Sequence, residues 1–161
     1  MLNILTALDD PNLKKNEKWI VALSILFPDF IRIKPPEYDE AIQKMLWFLS
    51  LGQEQDSDSA NYKLYDWEKD EQYIMSAVNK VAGVEVRALD YLHFWTFMGY
   101  FNEIEDGVFS TIVGIRAKKA RGIILEPHEK QFYKENKKII EIRKIGKEEQ
   151  DKIDYINKIL G

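Results

Sequence analysis

His93 and His128 are the only imidazoles in this 161-residue chain, and they stand too far apart to share one helical face at i, i+3 or i+4 spacing. That removes the helical His-pair metal signature, and His128-Glu129 lacks the second His of an HExxH zinc motif. His93 lies in an apolar stretch and reads as a satisfied core residue rather than a ligand. With no Cys, the chain has no thiol nucleophile, no thiolate metal site and no disulfide framework. Asp56-Ser57-Asp58-Ser59 opens like a calcium loop. Asn61, however, occupies the sixth position, where Gly is needed, and Trp67 occupies the twelfth, where Glu is needed.

The remaining polar clusters are no richer in chemistry. Glu103, Glu105 and Asp106 directly precede a helical pattern, where carboxylates serve free N–H groups and the positive helix end. Ser110-Thr111 has no adjacent base, glycine is scarce, and no phosphate-cradling loop is visible. The expectation is a protein that is not an enzyme, with no catalytic, metal or cofactor-binding residue and no cofactor. The run Gly114 to Gly122 could lay Lys118, Lys119 and Arg121 along phosphates, which makes a small helical DNA-binding or packaging protein the alternative function.

Two charges fall on the wrong face of their helices. At 100° per residue, Arg116 sits within about 20° of Phe109, between Ile112 and Val113, and Asp70 sits inside the stripe of Trp67, Ile74, Ala77 and Val81. A charge on a core face needs a partner. Asp70 and Arg116 are therefore expected to pair beneath a central helix. The competing reading has Asp70 serving the first turn of its own helix and Arg116 snorkelling to solvent.

The elements that must position these residues read as helices throughout. Leu2 to Leu8 is a short helix stopped before Pro11, and Asn12 or Asn16 caps a second one to about Phe27. Pro28 to Pro36 reads as an extended connection, Glu37 to Leu51 as a helix stopped at Gly52, and 53–61 as a polar surface loop. Asp66 caps a helix to about Ala82, ended by Gly83. The stretch from about 87 to 102 is apolar round nearly its whole circumference and reads as a buried central helix. Val108 to Lys119 follows, then a charged helix from Pro127 to about Ile145, and a last segment with Ile153, Ile156 and Leu160 at helical spacing. Arg121 to Leu125 is the only stretch with any strand character. The fold class is all-α, a single compact helical domain over 1–133 with a charged helical segment at 134–161.

Composition agrees with this. Apolar residues make up 45%, charged residues 31% and aromatics 12%, which is globular and able to build its own core. No export signal or membrane-spanning run is visible, and the absence of Cys fits a reducing cytoplasm. The net charge of −4 is uneven: residues 1–106 hold 10 Lys/Arg against 19 Asp/Glu, and residues 107–161 hold 13 against 8. An acidic body with a basic end fits head-to-tail self-association, nucleic-acid contact, or solvated helix faces. Lys118, Lys119, Arg121, Lys134, Lys137 and Lys138 are the residues such a surface would use.

The stretches Tyr65-Asp66-Trp67-Glu68-Lys69-Asp70, Ile74 to Ala77, Gly83 to Val86, Leu92-His93-Phe94-Trp95-Thr96-Phe97 and Phe109 to Arg116 together resemble the tail assembly chaperone family of long-tailed phages and prophages of Gram-positive bacteria. Glu37 to Gly52 is similar to that family's preceding helix. His93-Phe94-Trp95 departs from its usual His-Trp-Trp, Val84-Glu85-Val86 from its usual Ile-Asp-Leu, and its leading segment is absent before Met1. The resemblance implies a core signature of Trp67, Asp70, Ile74, His93, Trp95, Phe97, Phe109 and Arg116. It also implies a non-enzymatic homo-oligomer, often an open spiral, that coats the tape measure protein and recruits the tail tube protein. Such a protein works in the host cytoplasm, is absent from the mature virion, and has no nucleic-acid or membrane partner.

Overall fold

The computed structural model describes residues 2–53 and 62–142. The fold is all-α: eight α-helices and three 3-10 turns, with no strand among the described residues. The chain divides into two compact units, Met1–Ser57 and Asp58–Leu160, where the sequence pattern suggested one domain through residue 133.

The first unit contains α1 (Leu2–Asp9), α2 (Lys15–Leu26) and α3 (Tyr38–Leu49). Neither Asn12 nor Asn16 caps α2. Asn12 turns back on Asp10, donating to Oδ1 from its backbone N (2.8 Å) and from Nδ2 (3.0 Å), while Lys14 N donates to Glu17 Oε2 at 2.7 Å. The Pro28 to Pro36 connection is not extended but holds two 3-10 turns, Phe30–Arg32 and Pro35–Glu37. Ile4, Leu23 and Met45 are fully buried with Ala22 and Ala41, and Trp19, Phe27 and Phe30 close over them. Each of the three large side chains contributes about 1.5–3 kcal/mol of apolar burial.

The second unit holds α4 (Glu71–Ala82), α5 (Phe94–Asn102), α6 (Val108–Ala120), α7 (Pro127–Glu135) and α8 (Lys137–Ile140). α4 packs against α5 and α6, and α6 packs against α8. Ile112, Ile115 and Ile140 form one buried cluster, flanked by Tyr73, Leu125, Phe132 and Tyr133. α7 runs through position 133, and Ile140, 1% exposed, belongs to this core. The Arg121 to Leu125 stretch is turn and irregular chain. The expected helix to Ile145 breaks at Asn136 and ends at Ile140. Residues 54–61, and Gly146 with the segment beyond it, lie outside the described residues.

The central helix is shorter than its apolar pattern implies, covering Phe94–Asn102 rather than 87–102. The cause is local. After α4, Asn79 Oδ1 accepts from Val86 N (2.9 Å), Asn79 Nδ2 donates to Glu85 Oε2 (2.8 Å), and Glu85 Oε1 accepts from Arg87 Nε (3.1 Å). These bonds hold Val86–Ala88 as a 3-10 turn, and Leu89 leaves it in extended conformation. Leu89 and Tyr91 are consequently exposed, and only Phe94 and Phe97 of α5 are fully inside.

Gly83 ends α4 as its sequence position implies, with φ +70 and its N–H on Asn79 O at 2.9 Å. A Cβ added there meets nothing within 4 Å, so the cost of Gly83→Ala is purely that of the left-handed backbone. The expected loss is about 1 kcal/mol, read as a lower midpoint in thermal unfolding followed by circular dichroism.

Candidate functional site

The two charges singled out by their helical register meet. Arg116 Nη1 lies 2.5 Å from Asp70 Oδ2 and Nη2 lies 3.0 Å from Oδ1, a two-pronged pair in which Asp70 is 0% and Arg116 is 6% exposed. Arg116 does not reach solvent. Its other donors go to main-chain carbonyls: Nε to Ile140 O at 2.7 Å, Nη2 to Ile139 O at 2.8 Å and Nη1 to Leu64 O at 3.0 Å. All five guanidinium N–H groups are thus spent. Asp70 stands at the cap position of α4, but its side chain makes no bond to that helix; Oδ2 accepts from Asp66 N at 2.9 Å. Asp66 in turn accepts from Lys69 N (2.9 Å) and Glu68 N (3.2 Å), so it caps the turn at 67–70 rather than α4 itself.

This constellation ties four pieces of the second unit together: the chain at Leu64 to Asp66, the start of α4, the middle of α6 and the end of α8. Every guanidinium donor is bonded, and the pair is almost wholly out of water. It is a structural hub.

The rest of the predicted core signature divides. Ile74, Phe97 and Phe109 are buried. Trp67 is half-buried in the turn before α4, not in a helix, and packs edge-to-face with Tyr65 (5.2 Å) and tilted against Phe101 (5.2 Å), while Phe101 reaches Phe109 at 5.7 Å. Trp95 is half-buried. His93 is not a core residue. It is exposed at the start of α5, where its Nδ1 accepts from Trp95 N at 3.2 Å. Histidine is not among the favoured capping residues, so nothing in its sequence setting marks this role. Among the described residues no group of three His, Asp or Glu side chains is arranged around a metal position, and no helix is long and apolar enough to cross a membrane.

On the exterior, the two ends of α6 carry different surfaces. At the amino-terminal end of α6 an open groove lies between α4 and the 103–109 segment. Ala77, Val81, Ile104 and Val108 supply its apolar lining, and Glu103, Glu105 and Asp106 its acidic rim. Lys80 is its one cation and is occupied, with Nζ on Asp106 O at 2.9 Å. At the carboxy-terminal end lie the basic residues. Lys118 pairs with Glu129 (2.7 Å), Lys119 sits over the Tyr133 ring (3.8 Å) and Lys137 lies 3.8 Å from Glu141. Arg121, Lys134 and Lys138 are exposed and make no ion pair among the described residues. Of the six predicted basic residues, Lys118, Lys119 and Lys137 are thus engaged within the chain.

Gly122 shapes that end. With φ +70, its N–H meets Lys119 O (3.2 Å) and Ile123 N–H meets Lys118 O (2.8 Å), a Schellman closure. Such closures usually bury an apolar residue at the Ile123 position against the last helical turn. Here the facing position is Lys118, and Ile123 and Ile124 stay 50% and 79% exposed.

The hydrogen bond from Lys118, with a further one from Glu126 N, holds the Glu129 carboxyl below the ordinary glutamate range. A depressed carboxyl contributes stability that is present above the unfolded value near 4.5 and lost as pH falls through the folded one. Thermal midpoints taken from pH 6 down to pH 3 should fall less steeply for Lys118→Met than for the parent chain.

A sequence model of the family described as Bacteriophage Gp15 protein matches residues 1–142. Neither the curated proteins nor the solved structures contain a match. This finding corrects the resemblance to tail assembly chaperones. The physical reason lies in what carried that resemblance: Ile74, Phe97, Phe109 and the Asp70–Arg116 pair are packing residues, and helix packing does not distinguish one phage family from another.

Proposed function

The chain belongs to the Bacteriophage Gp15 protein family, and from that premise we propose that it is a phage protein whose work is to bind other proteins rather than to transform a substrate. The observation that carries this reading is the complete internal use of the buried charges: no buried polar side chain among the described residues is left without a partner. Chemistry usually needs a perturbed group facing a cleft. The faces that remain exposed, the acidic groove and the basic, isoleucine-bearing end of α6, have the mixed apolar and charged character of protein contacts.

Coating of the tape measure protein and recruitment of the tail tube protein came from the chaperone resemblance alone and lose their support with it. Both proteins remain useful test partners because they are phage assembly components. The experiment is to co-express the tagged chain in a bacterial host with each structural protein of its phage, those two included. At least one is expected to co-purify and to be lost when the groove or basic-end charges are reversed; co-purification of none would overturn the reading.

DNA binding is the competing function, favoured by the unpaired Arg121, Lys134 and Lys138. A gel shift that weakens steeply with salt would support it.

A further inference from the structure

We infer that the second unit carries two complementary docking surfaces at opposite ends of α6, and that the occupant of its acidic groove is the basic, isoleucine-bearing end of a second copy of the same chain. The inference goes beyond binding to other phage proteins and does not depend on it, since a monomer could also bind them.

The first argument is charge. Residues 101–109 contain three carboxylates and no cation, whereas residues 117–134 contain five Lys/Arg against two Glu. The single cation in the groove, Lys80, is held by the Asp106 carbonyl, and the two glutamates of the basic end are Glu126 and Glu129, the latter taken by Lys118. What remains outward is net negative at one end and net positive at the other. Complementary potentials of this kind steer association and fix its register.

The second argument is shape. Ile123 and Ile124 are held out by the Gly122 turn with no helical residue to cover them. The groove offers Val81 and Val108, 38% and 53% exposed, with Ala77 and Ile104 beneath. An apolar knob flanked by Arg121 meets an apolar floor flanked by Glu103 and Glu105.

The third argument is direction. α6 has 13 residues, so groove and knob lie about 18 Å apart along one rigid helix and cannot meet within one copy. Contact between copies therefore joins two different surfaces, knob of one into groove of the next, and when it does not close into a reciprocal pair each added copy presents a fresh groove or knob.

A heterologous contact has a test that a symmetric one fails. Charge reversal in the knob variant R121E/I124D and in the groove variant E103K/E105K removes one surface from each chain. Sedimentation velocity on the full-length parent chain should show oligomers that grow with concentration and shrink with salt, and each variant alone should remain monomeric. Mixing the two variants should give dimers and nothing larger, because one intact knob and one intact groove are left. Unchanged helical content and melting of the variants confirm that they fold; if either variant is misfolded, the single changes R121E and E105K replace it. A parent chain that stays monomeric at every concentration overturns the inference, as does a mixture that forms no dimer or a variant that assembles like the parent. Oligomers that form only on addition of DNA also overturn it.

Discussion

Arg116→Met is expected to be the most damaging single change in the second unit. It removes one charge of a pair that is almost wholly out of water and leaves Asp70 as an uncompensated buried carboxylate. It also strips the donors from Leu64 O, Ile139 O and Ile140 O. Breaking a buried pair by removing one partner costs roughly 3–5 kcal/mol, and the orphaned carbonyls add to that. Arg116→Lys keeps the charge but offers three donors to five acceptors, so it too should be strongly destabilising. Combining Arg116→Met with Asp70→Asn should cost less than the two changes summed, because the buried charge disappears from both sides. The double variant does not return to parent stability, since the three carbonyls still lack donors. Urea unfolding of the four proteins closes the cycle; an Arg116→Met chain as stable as the parent would show that the hub does not hold the unit together.

Ile112→Ala should have the next largest effect. Ile112 is 0% exposed and lies on α6 with Ile115 and Ile140 around it. Truncation removes three buried carbons and leaves a space that three packed helices cannot close without moving. The expected cost is about 2–5 kcal/mol, the upper part of that range applying where the walls stay rigid. Ile124→Ala, at a residue 79% exposed, is the matched control and should be within about 0.5 kcal/mol of the parent chain. Similar losses at both positions would mean that Ile124 is covered in solution, which is what assembly through the groove requires, and dilution would then separate the two effects.

Particular residues show how much of this was open to inspection in the sequence. The all-α class followed from helical spacing in nearly every apolar run, and the Asp70–Arg116 pair followed from two charges out of place on their wheels. The other acceptors of Arg116 did not follow, because they are main-chain carbonyls and a carbonyl leaves no mark on residue type. The start of α5 was hidden for a related reason. Leu89 and Tyr91 are apolar enough to continue the helix, and they are excluded from it by Asn79 and Glu85 fixing the preceding turn. His93 is exposed although its sequence neighbours are apolar, because residues adjacent along the chain at a helix start need not share one environment in space. The division of the chain near residue 57 coincides with the polar 53–61 stretch, whose composition suits a boundary between units as well as a loop within one domain. On the exterior, charge polarity was legible, but which cations are already paired was not.

The hub also bears on the order in which the second unit folds. The partners of Arg116 come from 23, 24, 46 and 52 residues away in sequence. The guanidinium gains little until α4, α6, α8 and the Leu64 segment have all arrived, because a pair that is only half surrounded still competes with water. Its stabilisation therefore belongs on the native side of the barrier. Loss of Arg116 should leave the rate of refolding nearly unchanged and appear as faster opening, so the hub acts chiefly on the lifetime of the folded unit rather than on its formation.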